Sequence, residues 1–503
     1  MTTTATALPR LNSDFLKTNP DQMFPEKVLQ IGEGNFLRGF VDWMIHEMNQ
    51  KGLFQGRVVV AQPIAQGLGT KLNEQNCAYT LLMRGMQSGK VIEDQKIITS
   101  LSRCLNPYGE FDQFLACAHN PDLRFIVSNT TEAGIVYNAE DKLSDVPPAS
   151  FPGKMTRFLL ERYNAFNKDV TKGFVLLPCE LIERNGDNLK KTILQTAANW
   201  KLDAEFIAWI EKANIFTNTL VDRIVTGYPG KEAAALWEKA GYKDDVFNTC
   251  EAFHLWVIEG PDGLEKELPL REAGLNVIFT NDMKPYRNRK VRILNGAHTS
   301  TMLAAYLSGK NLVGECMDDA VVSGFMKKAI YEEVIPTLVP ALSQEELEAF
   351  AEAVFERFRN PFIHHAVISI SLNSVSKYRA RVLPSLKEFV TKNGKVPVRL
   401  AFGLAALIAF YRGSEIKDGA LIGHRDGKEY QIKDDLKVLE GFAKAWEGFD
   451  GSQAATVKLV DTILSQTDWW GKDLRTISGL AEVIVADLEL IAAKGMYAAL
   501  SSL

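Results

Sequence analysis

The chain of 503 residues predicts two parts, a doubly wound α/β sheet followed by a mostly helical domain. Three observations predict this class. Short β-branched runs alternate with helical patterns up to about residue 270, a glycine turn follows the first run, and the strand pattern fades after about residue 300. We expect the boundary between residues 280 and 281 and a ligand cleft between residues 1–280 and 281–503.

The first element is the segment "KVLQIGEGNFLRGFVDWMIHEM", an apolar strand followed by a glycine turn and a helical pattern. Gly32 permits a tight turn, and Gly34 lets the backbone approach a pyrophosphate at the start of the helix. Asn35 and Phe36 then lie beside the cofactor. Leu37 stands where a third glycine is usual, so a plain turn is the alternative. The context predicts a Rossmann-type dinucleotide-binding domain.

Further strands follow at the spacing that intervening helices require. They are "RVVVAQ", "LRFIVSNTTEAGI" and "GFVLLPCELI". The second of these ends in Ser128, Asn129, Thr130 and Thr131, and polar strand ends are where open α/β sheets contact their ligands. The first ends at Gln62, with neither an acid for an adenosine ribose nor an arginine for a 2′-phosphate. These residues favour NAD over NADP.

The C-terminal half shows helical spacing with mixed-charge faces, including "SQEELEAFAEAVFERFRN". Ser343 and Glu346 have the spacing of a capping box at the start of that helix. The interrupted, polar stretch from about residue 270 to 288 is the expected seam between the two halves.

The segment "RKVRILNGAHTS" follows the seam and carries Lys290, Asn295 and His298. On an α-helix the three would span an arc of about 140°. A lysine with a lowered pKa can take the proton from a secondary alcohol as hydride leaves, while an amide and an imidazole polarise the oxygen. Arg287 and its arginine neighbours could lower that pKa. The alternative is a solvated basic edge with an N-capping Asn and a core His.

Other polar groups have both a functional and a structural interpretation. Asp222 either recognises hydroxyl groups or pairs with Arg223. The segment "SLNSVSKYRARVLPSL" brings Lys377, Arg379 and Arg381 into a face for an anionic substrate or into a solvated one. His364 and His365 lack a third ligand at the usual spacing, so we expect no metal.

Composition excludes several classes. A net charge of −5 argues against a nucleic-acid groove. The N-terminus has no signal-peptide core, and no apolar run reaches membrane-spanning length, so we expect a cytoplasmic protein without a membrane partner. Six scattered cysteines predict buried free thiols. The sequence contains no pattern that indicates an oligomeric state.

Five segments, in order along nearly the whole chain, resemble the mannitol dehydrogenase family of polyol-specific long-chain dehydrogenases. They are "IGEGNFLRGF", "SNTTEAGI", "NTLVDRI", "KVRILNGAH" and "NPF…SLNSVSKYRARVLP". The resemblance implies NAD, no catalytic zinc and Lys290 as general acid/base, with Asn295 and His298 holding the reacting oxygen. It also implies substrate contacts by Lys377 and Asp222.

The chain departs from the mannitol-type members at two places. Ser369 stands where they have an arginine, and "PCELIERNG" replaces a segment with a substrate-contacting Asn, so Glu180 or Asn185 would substitute. With the basic cluster around Lys377, this favours a carboxylated sugar, and the resemblance is greatest to members that interconvert tagaturonate and altronate in hexuronate (galacturonate) catabolism. Fructuronate and mannitol are the rival substrates, and a methyltransferase or an NAD-sensing binding module is the alternative class.

Overall fold

The computed structural model describes residues 8–19, 21–131 and 133–503. The chain forms two compact units, Met1–Gly85 with Val91–Met283, and Met86–Lys90 with Lys284–Leu503. The structure therefore changes unit between Met283 and Lys284, where the sequence places the boundary between residues 280 and 281.

The first unit contains strands and helices in alternation. Its strands are β1 (Glu26–Ile31), β2 (Arg57–Ala61), β3 (Tyr79–Gln87), β4 (Lys90–Ile98), β5 (Leu101–Leu105), β6 (Phe125–Ser128), β7 (Val175–Pro178), β8 (Ile215–Phe216), β9 (Asn218–Asp222), β10 (Val225–Gly227), β11 (Asn248–Cys250), β12 (Leu255–Glu259) and β13 (Val277–Thr280). Its helices are α1 (Ser13–Leu16), α2 (Asn35–Arg38), α3 (Val41–Gln50), α4 (Gly69–Glu74), α5 (Phe111–Ala116), α6 (Phe151–Ala165), α7 (Asn185–Asn199), α8 (Ala204–Ala213), α9 (Ala233–Ala240) and α10 (Leu264–Glu267).

The main sheet has six strands in the order β5-β2-β1-β6-β7-β8, and each neighbouring pair is parallel. Numbered along the chain, this order is 3-2-1-4-5-6, the order of a doubly wound dinucleotide-binding sheet. The order reverses between β1 and β6, so the ends of these two strands border the crevice in which such sheets bind ligands. The predicted parallel Rossmann-type sheet is confirmed.

Alternate residues of the central strands enter two different cores. Val58 and Val60 of β2 belong to the cluster on one face of the sheet. Val59 and Ala61 of the same strand belong to the cluster on the other face. Because both faces are covered, the buried parts of these strands are mostly apolar on both sides, as in the run Val58–Ala61 of β2, which is why the sequence shows continuous β-branched runs rather than alternation.

Two smaller sheets in the first unit were not predicted. One has the order β10-β11-β3-β4 and the other the order β13-β12-β9. The strands β3 and β4 form a hairpin whose tip, Ser88-Gly89, has positive φ at both residues, as a two-residue hairpin turn requires. The tip belongs to the second unit.

The second unit is mostly helical, as predicted. Its helices are α11 (Lys284–Arg289), α12 (Gly296–Leu307), α13 (Val313–Asp318), α14 (Ala320–Lys328), α15 (Ile335–Leu338), α16 (Gln344–Phe358), α17 (Val367–Ile370), α18 (Ser374–Arg381), α19 (Leu383–Asn393), α20 (Val398–Phe410), α21 (Leu436–Trp446), α22 (Gln453–Leu464), α23 (Thr467–Trp470), α24 (Leu480–Lys494) and α25 (Met496–Ser501). Two π-helical segments interrupt them, Lys290–Asn295 and Ala329–Val334.

Helices α12 and α20 form the centre of this unit, and a glycine sets their distance. A Cβ at Gly403 would lie 2.7 Å from the carbonyl oxygen of Ser300, so only glycine lets α20 approach α12 this closely. The capping box at α16 is confirmed: Ser343 Oγ accepts a hydrogen bond from the Glu346 backbone N–H, and the Glu346 carboxylate accepts one from the Ser343 N–H.

The second unit also contains a small antiparallel sheet that the sequence did not indicate. It consists of β14 (Ile416–Lys417), β15 (Ala420–Arg425) and β16 (Lys428–Ile432). Within the described ranges, none of the helices is both long and apolar enough to span a membrane.

Candidate active site

Gly32 lies at the switch point of the main sheet and has a conformation that requires glycine. Its φ is +122°, and a Cβ there would lie 3.1 Å from the carbonyl oxygen of Asn129 at the end of β6. By contrast, no atom of the described residues lies within 4 Å of the Cβ position of Gly34. The backbone at Gly34 is therefore open to close approach, as the sequence predicts for a pyrophosphate contact.

The helix that follows the turn is broken, whereas the sequence predicted one continuous helix. Helix α2 is a single turn, and α3 starts only after Gly39 and Phe40. A Cβ at Gly39 would lie 2.9 Å from Val225, so the break lets β10 pack against the turn. The side chains of Asn35 and Phe36 already have partners: the Asn35 amide oxygen accepts from the Arg38 guanidinium, and the Phe36 ring stacks on Phe40.

Ser128 and Thr130, predicted as cofactor contacts, are held by a buried carboxylate on the neighbouring strand end. Ser128 Oγ donates to Glu180 Oε2 at 3.1 Å, and Thr130 donates to Glu180 Oε1 through its backbone N–H and its hydroxyl. Burial raises the pKa of Glu180. Glu180 was a sequence candidate for a substrate contact, but here it joins the ends of β6 and β7.

Asn129 and Thr131 complete the polar end of β6. The Asn129 backbone N–H donates to the carbonyl of Ile31, and its side-chain amide donates to the carbonyl of Cys179 at 2.9 Å. Thr131 has a φ of +82°, a conformation that few residues other than glycine adopt. The end of β6 is therefore fixed to β1 on one side and to β7 on the other.

The end of β2 carries a buried amide where an acid for an adenosine ribose is absent. Gln62 is buried, and its amide oxygen accepts from the Gly69 backbone N–H at 3.0 Å while its amide nitrogen donates to Ile64. The Glu33 carboxylate accepts from the Leu68 N–H. These contacts fold residues 62–69 into a tight loop at the edge of the dinucleotide crevice.

Lys290, Asn295 and His298 lie on a continuous helical stretch, but its geometry differs from the prediction. Residues Lys290–Asn295 are π-helical, and α12 continues from Gly296. In a π-turn, with about 4.4 residues per turn, residues five apart are neighbours on successive turns. The arc spanned by the three residues therefore shrinks from the predicted 140° to about 60°. The π-turn brings the three side chains towards one face.

His298 carries an imidazole nitrogen without a partner. Its Nε2 is buried and has no hydrogen-bond partner among the described residues. The ring stacks on Phe358, with centroids 4.2 Å apart, and meets the His365 ring edge-on at 5.5 Å. Burial, followed by the charges of His365 and Arg381, lowers the pKa of His298 to about 3. His298 is therefore a neutral imidazole at physiological pH.

The arginines that flank Lys290 in sequence have different environments. The Arg292 guanidinium forms an ion pair with the Glu388 carboxylate, and this carboxylate neutralises the charge of Arg292. The Arg289 guanidinium lies over the rings of Tyr286 and Phe350, at 5.3 and 4.5 Å from their centroids. Lys290 itself is half-buried.

The three cations of α18 that were predicted to bind an anion lie on two different faces of the helix. Lys377 and Arg381 are four residues apart and share one face. The Lys377 ammonium donates to the carbonyl of Ile370 at 2.9 Å. Arg379 lies on the opposite side, where its guanidinium donates to the carbonyl of Asp468 and covers Gly471. The grouping of Arg379 with the other two cations was wrong.

The remaining sequence candidates lie in the first unit. Asn185 is fully buried, and its amide nitrogen donates to the carbonyls of Pro178, Glu180 and Thr219. These contacts hold the start of α7 against the sheet and argue against its predicted substrate contact. Asp222 is buried at the end of β9, and the neighbouring Arg223 donates to backbone carbonyls and lies over Trp43.

Two residues beside His298 were missed by sequence reasoning. Phe358, the last residue of α16, carried no pattern that marked it, and His365 was considered only as a metal ligand. Their proximity to His298 depends on the packing of distant segments. Among the described residues, no group of three histidine, cysteine or acidic side chains could hold a metal ion.

The fold and this constellation define a class. A sheet of order 3-2-1-4-5-6 with a required glycine at its switch point, together with an amine, an amide and a neutral imidazole towards one helical face, is the equipment of a nicotinamide-dependent dehydrogenase.

Comparisons with known proteins agree. Residues 26–272 match the family model described as the mannitol dehydrogenase Rossmann domain, and residues 282–492 match the mannitol dehydrogenase C-terminal domain. Altronate oxidoreductases of Enterobacter sp. (strain 638) and Shigella flexneri are each 46% identical over 96% of this chain and 98% of their own length. The chain belongs to the mannitol dehydrogenase family.

Solved structures share the fold over nearly the full length. D-sorbitol dehydrogenase in substrate-free form has a TM-score of 0.77 at 22% identity, covering 96% of each chain. Pseudomonas fluorescens mannitol 2-dehydrogenase, in a ternary complex with NAD and D-mannitol, has a TM-score of 0.66 at 20% identity, covering 98% of this chain and 99% of that one.

Proposed function

We propose that the chain interconverts D-tagaturonate and D-altronate by hydride transfer with NAD, as a step of hexuronate catabolism. The observation that carries the proposal is the 46% identity, over 96% of the chain, to proteins named altronate oxidoreductase. The cationic side chains of Lys377 and Arg381 beside His298 support a substrate with a carboxylate.

Lys290 is the proposed general acid/base. In the oxidation of altronate, its neutral amine accepts the hydroxyl proton while the carbon loses hydride. In the reduction of tagaturonate, the ammonium returns the proton to the developing alkoxide. The π-turn reduces the angular separation of the three residues to about 60°, which supports the proposal that one substrate oxygen contacts all three.

Asn295 and His298 are proposed to polarise that oxygen. The Nε2 of His298 is buried and without a partner among the described residues, and burying such a group costs about 1–3 kcal/mol unless a ligand pairs with it. Because the lowered pKa keeps the imidazole neutral, it donates a hydrogen bond without adding a charge that competes with Lys290 for the proton.

The first unit fits a dinucleotide. The required glycine at position 32 and the open backbone at Gly34 provide the close approach that a pyrophosphate needs. NAD, when bound, supplies the carbon that accepts or returns the hydride. The preference for NAD over NADP rests on the loop at Gln62, which offers no basic side chain to a 2′-phosphate.

The direct test is an assay of NADH oxidation at fixed enzyme concentration with D-tagaturonate, D-fructuronate and D-fructose in turn. We expect the highest kcat/KM with tagaturonate. Turnover of fructuronate alone would assign the opposite stereochemistry, and turnover of fructose alone would remove the role of the carboxylate. Repeating the assay with NADPH tests the cofactor preference.

A further inference from the structure

Helix α18 presents two cations to the region of His298. Lys377 and Arg381 are one helical turn apart, so their side chains start about 5–6 Å from each other. The carbonyl oxygen of Arg381 lies 3.4 Å from the Cβ position of Gly296, the first residue of α12. The end of α18 therefore adjoins the helix turn that carries His298.

Neither cation is neutralised by a carboxylate. In the parts of the chain that the structure describes, the Arg381 side chain has no hydrogen bond or ion pair, and burial lowers its pKa. Asp434 is the carboxylate that acts on Lys377, but it accepts hydrogen bonds from the Tyr411 hydroxyl and the Val375 N–H. Burial and the charge of Arg381 lower the pKa of Lys377.

His365 is the third polar group of this cluster. Its ring is perpendicular to that of His298, with centroids 5.5 Å apart, and it lies close enough to Lys377 for that charge to add to burial in lowering its pKa. Its backbone is fixed, because the Val313 N–H donates to the His365 carbonyl. Across the described residues, the His365 imidazole has no hydrogen-bond partner.

Two half-buried cations and an imidazole without an anion form a site of positive potential. The free-energy cost of their partial desolvation is offset only when an anion binds between them. A carboxylate suits the geometry, since arginine can bind both of its oxygens while lysine and histidine each donate one hydrogen bond.

The separation of the His298 and His365 rings is of the same order as the length of the proposed substrate. In a six-carbon keto-uronate, the carboxylate carbon is four carbon–carbon bonds from the keto carbon, about 5 Å in an extended chain. The ring of His365 lies 5.5 Å from that of His298. A substrate whose keto oxygen contacts His298 can therefore place its carboxylate at the cluster.

We propose that Arg381, Lys377 and His365 form the subsite that binds the substrate carboxylate, and that His365 and Arg381 determine the preference for a uronate over the corresponding ketose. The inference rests on the proposed function. It assigns His365 to recognition of the anion rather than to a metal.

The experiment compares D-tagaturonate with D-tagatose, which has a CH2OH group in place of the carboxylate, for the wild type, Arg381→Leu and His365→Leu. Loss of a hydrogen-bonded charge pair predicts a fall of about 50-fold in kcat/KM for tagaturonate with Arg381→Leu, mainly through KM. The fall for His365→Leu is expected to be about 10-fold. The kcat/KM for tagatose should change less than about 3-fold.

Lys387→Leu removes an exposed lysine of the neighbouring helix α19 and is the matched control, with no expected change for either substrate. Arg381→Lys keeps the charge and should recover part of the uronate preference. An unchanged melting temperature verifies that each variant is folded, and NADH binding, followed by fluorescence, verifies that the first unit keeps its function.

The possible failures are distinguishable. A wild type that does not reduce tagaturonate contradicts the proposed function before any variant is made. The proposed subsite is wrong if the wild type is active but both leucine variants lower kcat/KM equally for tagaturonate and tagatose. It is also wrong if neither variant changes the ratio of the two kcat/KM values. If Arg381→Leu does not fold, the comparison of Arg381→Lys and His365→Leu decides the question in the same way.

Discussion

Lys290 is the residue on which the proposed chemistry depends most directly. Lys290→Ala removes the group that carries the proton, and we expect turnover to fall by about 10³-fold because general acid–base catalysis contributes on the order of 10²–10⁴. NADH binding should persist, since the glycine turn lies in the other unit. Steady-state kinetics and NADH fluorescence measure the two effects.

The control for this change is Lys387→Ala, which removes a lysine from an exposed position in the same unit. It should leave both turnover and NADH binding as in the wild type. Full activity of Lys290→Ala would instead favour a binding module without chemistry.

His298 has a different role and therefore a different expected response. We expect His298→Ala to lower turnover by about 10²-fold, as for the loss of one donor to a developing oxyanion, and His298→Gln to retain more activity because it keeps a neutral donor. Because the pKa of His298 is about 3, its protonation does not control activity above pH 5. The pH profile of His298→Gln should therefore keep the limbs of the wild type, and a displaced limb would show that His298 titrates during turnover.

At the scale of single residues, sequence reasoning identified the groups with a chemical signature and missed those defined by contact. Lys290, Asn295 and His298 share one short segment, so they could be found from spacing. Phe358 and His365 touch the His298 ring from other segments, and only tertiary packing brings them there. The same limit explains why Arg379 was wrongly grouped with Lys377. Both side chains are positively charged, but they lie on different faces of the helix.

Among the elements, the π-turn at Lys290–Asn295 is the departure with the largest chemical effect. The sequence pattern does not reveal an i→i+5 turn, because the spacing of the apolar residues on either side is compatible with both an α-helical and a π-helical turn. The sequence therefore predicted the helix and the three residues, but not the rotation that brings Lys290 round to Asn295.

Helix α20 offers a test of the packing that supports this element. Gly403→Ala adds a methyl group 2.7 Å from the carbonyl oxygen of Ser300 on α12, and such overpacking is expected to cost about 1–3 kcal/mol in the free energy of unfolding. We expect activity to fall as well, because α12 carries His298. Thermal or urea unfolding and the standard assay measure the two effects.

Gly324→Ala is the matched control. It lies in α14, and no atom of the described residues is within 4 Å of its Cβ position. The control should be neutral or stabilising by about 0.5–1 kcal/mol, since alanine is the better helix former. Equal stability of the two variants would contradict the close packing of α20 on α12.

For the whole molecule, composition and periodicity sufficed for the fold class, because a sheet covered on both faces and a run of amphipathic helices leave strong patterns. The hairpin of β3 and β4 and the small sheet β14–β16 were not predicted. The strands β4 and β16 consist mostly of exposed polar residues, so their apolar signal is weak. The strands β3 and β15 are short buried runs, which periodicity alone does not distinguish from part of a helix.

The two units share a sensitivity to acid. Burial lowers the pKa of His254 to about 4 in the first unit and that of His298 to about 3 in the second. The His254 Nε2 accepts a hydrogen bond from the Asn276 backbone N–H, which requires the neutral ring. Below pH 6.5 the unfolded chain binds protons at these positions that the folded chain does not, so the free energy of unfolding decreases as pH falls towards about 4.

We therefore expect the free energy of unfolding to decrease from pH 7 to pH 4.5 by up to about 1.4 kcal/mol per pH unit for each histidine, and the melting temperature to decrease with it. His254→Gln preserves an acceptor for the Asn276 N–H and should make the decrease shallower. His424→Gln, at an exposed histidine, is the control and should follow the wild type. An identical slope in all three proteins would contradict the assignment.

The carboxylate of Glu180 has a further consequence for ligand choice at the crevice. It accepts hydrogen bonds from the hydroxyl groups of Ser128 and Thr130. Because Ser128 is buried, the Thr130 oxygen is the one that remains partly exposed, with only its lone pairs available to a ligand. A hydrogen-bond donor, such as a carboxamide NH2 or a sugar hydroxyl, would bind there, whereas a phosphate oxygen, which only accepts hydrogen bonds, would be repelled. We therefore expect this end of the sheet to contact a hydrogen-donating part of a bound nucleotide rather than its phosphates.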